Sequence, residues 1–162
     1  MNDSVIDRAI GAVLGSAVGD ALGAGYEFTN PAPDDPIEMI GGGPFGWAPG
    51  EWTDDTQMAT AILDVIATGS VDIEAIGANF LAWFAAGPAD VGIQTSSVLG
   101  AADNPQDLLF TAQAYLDAHP ESVGNGGLMR TAPVALAALG DRERVAAHAA
   151  QIASLTHAHP DS

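Results

Sequence analysis

The segment Trp52-Thr53-Asp54-Asp55-Thr56 sets one hydroxyl and two adjacent carboxylates at the expected start of a helix. Thr is a good N-cap, and acidic residues in a first turn complement the helix dipole. The same side chains are also an all-oxygen ligand set of the kind that suits Mg²⁺ or Mn²⁺ rather than zinc. The local pattern fits a cap and a metal site equally. Successive helical positions point roughly 100° apart, so Asp54 and Asp55 would favour different cations or different sides of a pair. Glu27 stands between Tyr26 and Phe28, where partial burial would raise a carboxyl pKa and suit proton transfer, although an exposed loop glutamate is the plainer reading. Asp90 in Gly87-Pro-Ala-Asp-Val-Gly92 is open in the same way, since Asp beside Gly and Pro is ordinary turn chemistry.

Gly124-Asn125-Gly126-Gly127 precedes an apolar run. It either makes a simple turn or presents backbone N–H groups to a phosphate. Arg130 is near enough in sequence to assist a diphosphate, but with so many carboxylates in the chain an ion pair is the stronger expectation. His157 and His159 flank Ala158 in an extended segment, so one is expected to line a pocket and the other to face solvent. His119 and His148 read as loop and helix-surface residues.

The elements that must position these groups are helical. From Val5 to Leu22 apolar pairs recur while Gly11, Gly15, Gly19 and Gly23 fall every fourth residue, which predicts one helix with a glycine ridge packed closely against a neighbour. A Pro- and Gly-rich loop follows Tyr26-Glu27-Phe28 as far as Trp52; it is long for a compact domain, and Phe45, Trp47 and Trp52 argue against disorder. Helices are expected from Thr53 to Gly69, buried through Met58, Ile62, Val65 and Ile66, and from Asp72 to Ala86, buried through Ile73, Ile76, Phe80, Trp83 and Phe84. Further helices are expected near 93–102, 105–118, 128–139 and 142–155. No segment shows strand alternation and there is no internal repeat.

The 162 residues suffice for one domain burying roughly 70% of its unfolded surface. A 48% hydrophobic content with only 6% aromatics, rich in Ala and Gly, points to an all-α fold of closely packed helices. The net charge of −17, from 21 acidic residues against four arginines and no lysine, argues against nucleic acid as a partner. Such a surface attracts divalent cations, though solubility and a coding bias are the plainer reading. Without cysteine, catalysis must rest on carboxylates, hydroxyls, histidine or metals. Asp3 and Asp7 stand at the N-terminal end, the reverse of a secretory leader, and no uncharged apolar stretch approaches the roughly 20 residues that span a bilayer, so a soluble, cytoplasmic protein is expected.

Six motifs in order resemble the ADP-ribosylglycohydrolase family, whose best-known bacterial member reactivates dinitrogenase reductase. They are residues 11–23 with the glycine ridge, Tyr26-Glu27-Phe28, residues 41–47, Gly50-Glu-Trp-Thr-Asp-Asp-Thr-Gln-Met58, Gly124-Asn-Gly-Gly-Leu-Met-Arg130 and Leu155-Thr-His-Ala-His159. The resemblance covers essentially the whole chain. It implies a compact all-helical domain in which two Mg²⁺ or Mn²⁺ ions assist hydrolysis at the anomeric carbon of the distal ribose of ADP-ribose. On matching positions it implies Thr53, Asp54 and Asp55 as metal ligands and Glu27 with Asp55 as catalytic groups. Asp90 and Gly92 match a substrate-side loop; Ser122, Gly124, Asn125 and Gly126 match a segment contacting ribose and diphosphate; His157 matches a histidine lining the cleft.

One feature of the resembled pattern is missing: family members carry a second Asp-x-Asp-Thr-like motif toward the C-terminus, and residues 1–162 contain none. The chain is therefore expected to be a single incomplete domain, the N-terminal portion of such a hydrolase, completed by a C-terminal polypeptide. The competing expectations are a non-catalytic module that binds ADP-ribose or a partner, and a plain acidic helical protein with capped helices.

Overall fold

The computed structural model describes residues 3–162. It is all-helical: α1 (Asp3–Gly23), α2 (Asp54–Ile66), α3 (Ile73–Ala85), α4 (Ile93–Ala101), α5 (Leu108–Ala118), α6 (Val134–Ala137) and α7 (Arg142–Ser154). Among the described residues there is no strand, only an isolated antiparallel bridge between Gly42 and Trp47. No described helix is long and apolar enough to cross a membrane. The chain forms two compact units, Met1–Gln57 and Met58–Ser162, so that α2 begins in the first and continues in the second.

In the first unit α1 runs for 21 residues and is followed by a 3₁₀ turn, Ala24–Tyr26. The long loop is held to that turn by a close approach: a side chain at Gly25 would collide with the Gly41 carbonyl oxygen, so only glycine fits there. Gly42 and Trp47 then exchange backbone hydrogen bonds of 2.7 and 2.9 Å, and Trp47 is buried. The aromatic anchoring expected of this loop is thus carried by Trp47, while Trp52 is half exposed. The glycine ridge departs from expectation. A Cβ at Gly11, Gly15, Gly19 or Gly23 would meet nothing within 4 Å, and Ile10, Leu14 and Val18 are more than half exposed. Within the unit Met1–Gln57 nothing packs along this ridge.

The second unit has its own core, built from Met58, Ile62, Ile76, Phe80, Val98, Leu99, Leu108, Val134, Ile152 and Leu155. Each fully buried aliphatic or aromatic side chain here is worth about 1.5–3 kcal/mol. These residues come from the expected faces of α2 and α3, with Val65 also buried and Ile66, Ile73, Trp83 and Phe84 packed against the cluster. Asp72 caps α3 by accepting from Ala75 N at 3.0 Å, and Asp141 caps α7 by accepting from Arg144 N at 3.0 Å. The helix expected over 128–139 is reduced to Val134–Ala137. Pro133 has no N–H to continue a helical ladder and disfavours helical geometry at the residue before it. The stretch from Asn125 to Val134 instead proceeds by tight turns such as Leu128 N to Asn125 O, Thr131 N to Leu128 O and Val134 N to Thr131 O.

Candidate active site

The start of α2 is organised by a carboxylate from α1. Asp20 Oδ1 accepts from the Thr53 hydroxyl at 2.7 Å, and both of its oxygens lie 3.0–3.1 Å from Thr53 N. Its Oδ2 also accepts from the Thr56 N–H at 3.1 Å and from the Thr56 hydroxyl at 2.6 Å. Thr53 stands at the N-cap position, its carbonyl accepting from Gln57 N. The bond to the third N–H of the helix, usually made by an N-cap side chain, is made here by Asp20. A hydroxyl has a single proton, and that of Thr53 goes to the nearer Asp20 oxygen rather than to Asp55 Oδ2 at 3.4 Å. Its lone pairs remain available on an oxygen that Asp20 holds in place.

Thr53 and Asp54 are buried and Asp55 is half-buried. The donors gathered here are all oxygens, which is the chemistry of a hard divalent cation site. Among the described residues, however, no group of three or more His, Cys, Asp or Glu side chains converges closely enough to hold a metal ion. Thr53, Asp54 and Asp55 therefore fit Mg²⁺ or Mn²⁺ as a partial ligand set. Glu27 occupies a tight turn just past α1, closed by Thr29 N donating to Tyr26 O at 2.9 Å. Phe28 takes φ +59° there, a conformation that a bulky residue rarely adopts, and is 80% exposed. Glu27 itself is half-buried.

In the second unit the structure draws together three segments that are remote in sequence: the first turn of α4, the glycine turn, and the end of α7. Gln94 Nε2 donates to the Thr156 carbonyl at 3.0 Å, and Ser122 Oγ donates to Gln94 Oε1 at 3.1 Å. The glycine turn closes over the His157 ring. A Cβ on Gly124 would lie 2.9 Å from His157 Nε2, and one on Gly126 would lie 2.7 Å from Cε1. His157 is buried, and its pKa is lowered from 6.5 to about 4, first by burial and then by the positive charge of Arg130. The ring is neutral at physiological pH. His159 is partly exposed, its Nδ1 4.0 Å from Asp161 Oδ2.

Ser122, Gly124, Gly126 and His157 thus form one cluster. Asn125 is exposed at the tip of the turn, and Gly92 is the N-cap of α4, its carbonyl accepting from Ser96 N at 2.8 Å. Asp90 is half-buried in the loop before it. A cleft of about 460 Å³ between Ile66, Val71, Leu136, Arg144 and His148 includes none of these residues. Arg130 is fully buried, donating to Thr156 Oγ1 at 2.6 Å and lying 4.6 Å from the Phe80 ring centroid, so its guanidinium is not offered to a ligand at the surface.

Sequence reasoning passed over Asp20, Gln94 and Thr156. The signal for Asp20 was the single charge in the apolar, glycine-rich stretch from Gly11 to Gly23. Gln94 and Thr156 carried no signal beyond adjacency to Gly92 and His157.

An ADP-ribosylglycohydrolase family model matches residues 1–162. The chain is 39% identical to the ADP-ribosyl-[dinitrogen reductase] glycohydrolase of Rhodospirillum rubrum, over 97% of this chain and 53% of that protein. It is 33% identical to the ADP-ribosylarginine hydrolase Tri1 of Serratia proteamaculans, over 97% of this chain and 44% of that protein. A solved structure described as an ADP-ribosylglycohydrolase-related protein complex superposes with a TM-score of 0.72 at 33% identity, covering 96% of this chain and 50% of the other. The chain therefore spans about half the length of the relatives it matches. With a family model matched over residues 1–162 and an all-helical architecture shared with that solved structure, this chain belongs to the ADP-ribosylglycohydrolase family.

Proposed function

We propose that this chain is part of a hydrolase that removes ADP-ribose from a modified protein by metal-assisted cleavage at the anomeric carbon of the distal ribose. The observation that carries the reading is the oxygen-only trio Thr53, Asp54 and Asp55, held at the start of α2 by Asp20. In this reading the trio supplies ligands to two Mg²⁺ or Mn²⁺ ions, which when bound orient a water and lower its pKa. Asp55 lies at the edge of the trio and Glu27 in the turn after α1; these two carboxylates take up and return the proton as charge develops on the ribose ring. Asp90, Gly92, Ser122, Gly124, Asn125, Gly126 and His157 bind and orient ADP-ribose. The glycines let backbone approach the ligand, and the neutral His157 ring adds no charge beside it.

Two carboxylates and a hydroxyl leave a metal pair under-coordinated, so competence requires a C-terminal portion that contributes opposing ligands. The open glycine ridge and exposed apolar residues of α1 support that requirement, because a face of this kind is costly to leave in water. Arginine-linked ADP-ribose is the first substrate to test, on the strength of the relative named for it. The chain, combined with the C-terminal portion of a matched relative and Mg²⁺ or Mn²⁺, is expected to release ADP-ribose from such a protein. Asp54→Ala and Asp55→Ala are each expected to abolish release; normal rates in both would overturn the metal assignment.

A second reading is a non-catalytic ADP-ribose-binding module. It is favoured by one observation: Gln94, Ser122, Gly124, Gly126 and His157 all lie within the single unit Met58–Ser162. Calorimetric binding of ADP-ribose in EDTA, with no hydrolysis under any metal or complementing polypeptide, would select it.

A further inference from the structure

Arg130 and Thr156 are both fully buried, and neither has a part in the chemistry proposed above. A guanidinium can only donate, so at 2.6 Å the Thr156 hydroxyl oxygen accepts from Arg130 Nη2. The one proton of that hydroxyl must then find an acceptor. The only one placed for it among the described residues is His157 Nδ1, at 2.8 Å. If Nδ1 carried a proton instead, the hydroxyl would sit between two donors with its own proton stranded in the core, at a cost of about 1–3 kcal/mol. The arrangement with every proton satisfied runs from Arg130 to Thr156 to a bare Nδ1. The proton of the neutral ring then resides on Nε2.

Nε2 has no hydrogen-bond partner among the described residues, although the residue is only 4% exposed. It is turned toward the glycine turn, where a Cβ on either Gly124 or Gly126 would come 2.9 Å from it. We propose that Arg130 and Thr156 are positioning residues that lock His157 in its Nε2–H form, so that the ring offers a hydrogen-bond donor to an oxygen of a ligand held at the Ser122–Gly126 turn. The ligand class is one that presents ribose or phosphate oxygens, and this half of the proposal rests on the reading that the turn binds ADP-ribose. The other tautomer would present a lone pair and repel the same oxygen. The inner half, Arg130 to Thr156 to His157, stands on this chain alone.

The test is a long-range ¹⁵N–¹H correlation spectrum of the chain with labelled histidine. The wild-type chain is expected to show His157 with a pyrrole-like Nε2 and a pyridine-like Nδ1. Thr156→Val, which removes the hydroxyl but keeps the shape, is expected to mix the two forms, and Thr156→Ser to restore the single form. A protonated Nδ1 in the wild type overturns the relay without need of any variant, as does a Thr156→Val spectrum identical to wild type. Addition of ADP-ribose is expected to shift the Nε2–H resonance, with affinity in Thr156→Val lowered in proportion to the fraction of the Nε2–H form that remains. An intact Nε2–H signature that ignores ADP-ribose leaves the relay standing and overturns the ligand half.

Discussion

At the scale of single residues, the Asp20 carboxylate organises the start of α2. It accepts from two backbone N–H groups and two hydroxyls at the start of α2. Asp20→Asn keeps one acceptor oxygen and replaces the other with an NH₂ that can only donate toward groups that are donors already. Loss of the cap and of charge-assisted hydrogen bonds is expected to lower stability by about 2 kcal/mol, read as a lower urea midpoint at unchanged slope. An unchanged midpoint would mean that α2 begins without help from α1. Thr53, Asp54 and Asp55 stand out in the sequence as candidates because an adjacent hydroxyl and two carboxylates are a local pattern. Asp20 does not, because its partners lie 33 and 36 residues away and no local pattern announces them.

At the scale of elements, glycine has opposite meanings in two places. Along α1 a Cβ at Gly15 meets open space, whereas at Gly126 it would press to 2.7 Å from the buried His157 ring. Gly126→Ala is expected to destabilise the chain by about 1–3 kcal/mol through overpacking and to weaken ADP-ribose binding. Gly15→Ala, by contrast, is expected to stabilise by up to about 1 kcal/mol through helix propensity. Thermal unfolding of both variants beside wild type checks the pair, and a shift of the same sign in both would contradict the two environments. Apolar periodicity located α1, α2, α3 and α7 to within a few residues, since an amphipathic face and its caps are local properties. The stretch 128–139 misled because its apolar spacing suits a helix, while Pro133 and the turns that start at Asn125 prevent one.

At the scale of the whole molecule, stability against pH carries a contribution from His157 that can be separated from the many carboxylates. Its unfolded pKa of 6.5 falls to about 4 in the folded chain, so between these values the unfolded state binds more protons. Acidification through that window therefore favours unfolding; above pH 6.5 the contribution is constant, and below about pH 4 it changes no further. Relative to His157→Gln, the wild-type chain is expected to lose up to about 3 kcal/mol as pH falls across the window. Denaturant titrations of both proteins at a series of pH values measure this difference. Parallel stability curves would mean that the ring is not held neutral by its surroundings.

By itself the sequence determined the helical class, the faces of α2 and α3, the oxygen-only trio at the start of α2 and, through six ordered motifs, the family resemblance. These follow from residue type and short-range spacing, which a chain carries whether folded or not. Only the tertiary structure decided that Asp20 builds the start of α2, that Arg130 turns inward beneath Thr156, and that the glycine turn closes on His157. Each of those contacts joins segments more than 20 residues apart, and a hydrogen bond or a steric limit of that kind exists only once packing has brought the segments within a few ångströms.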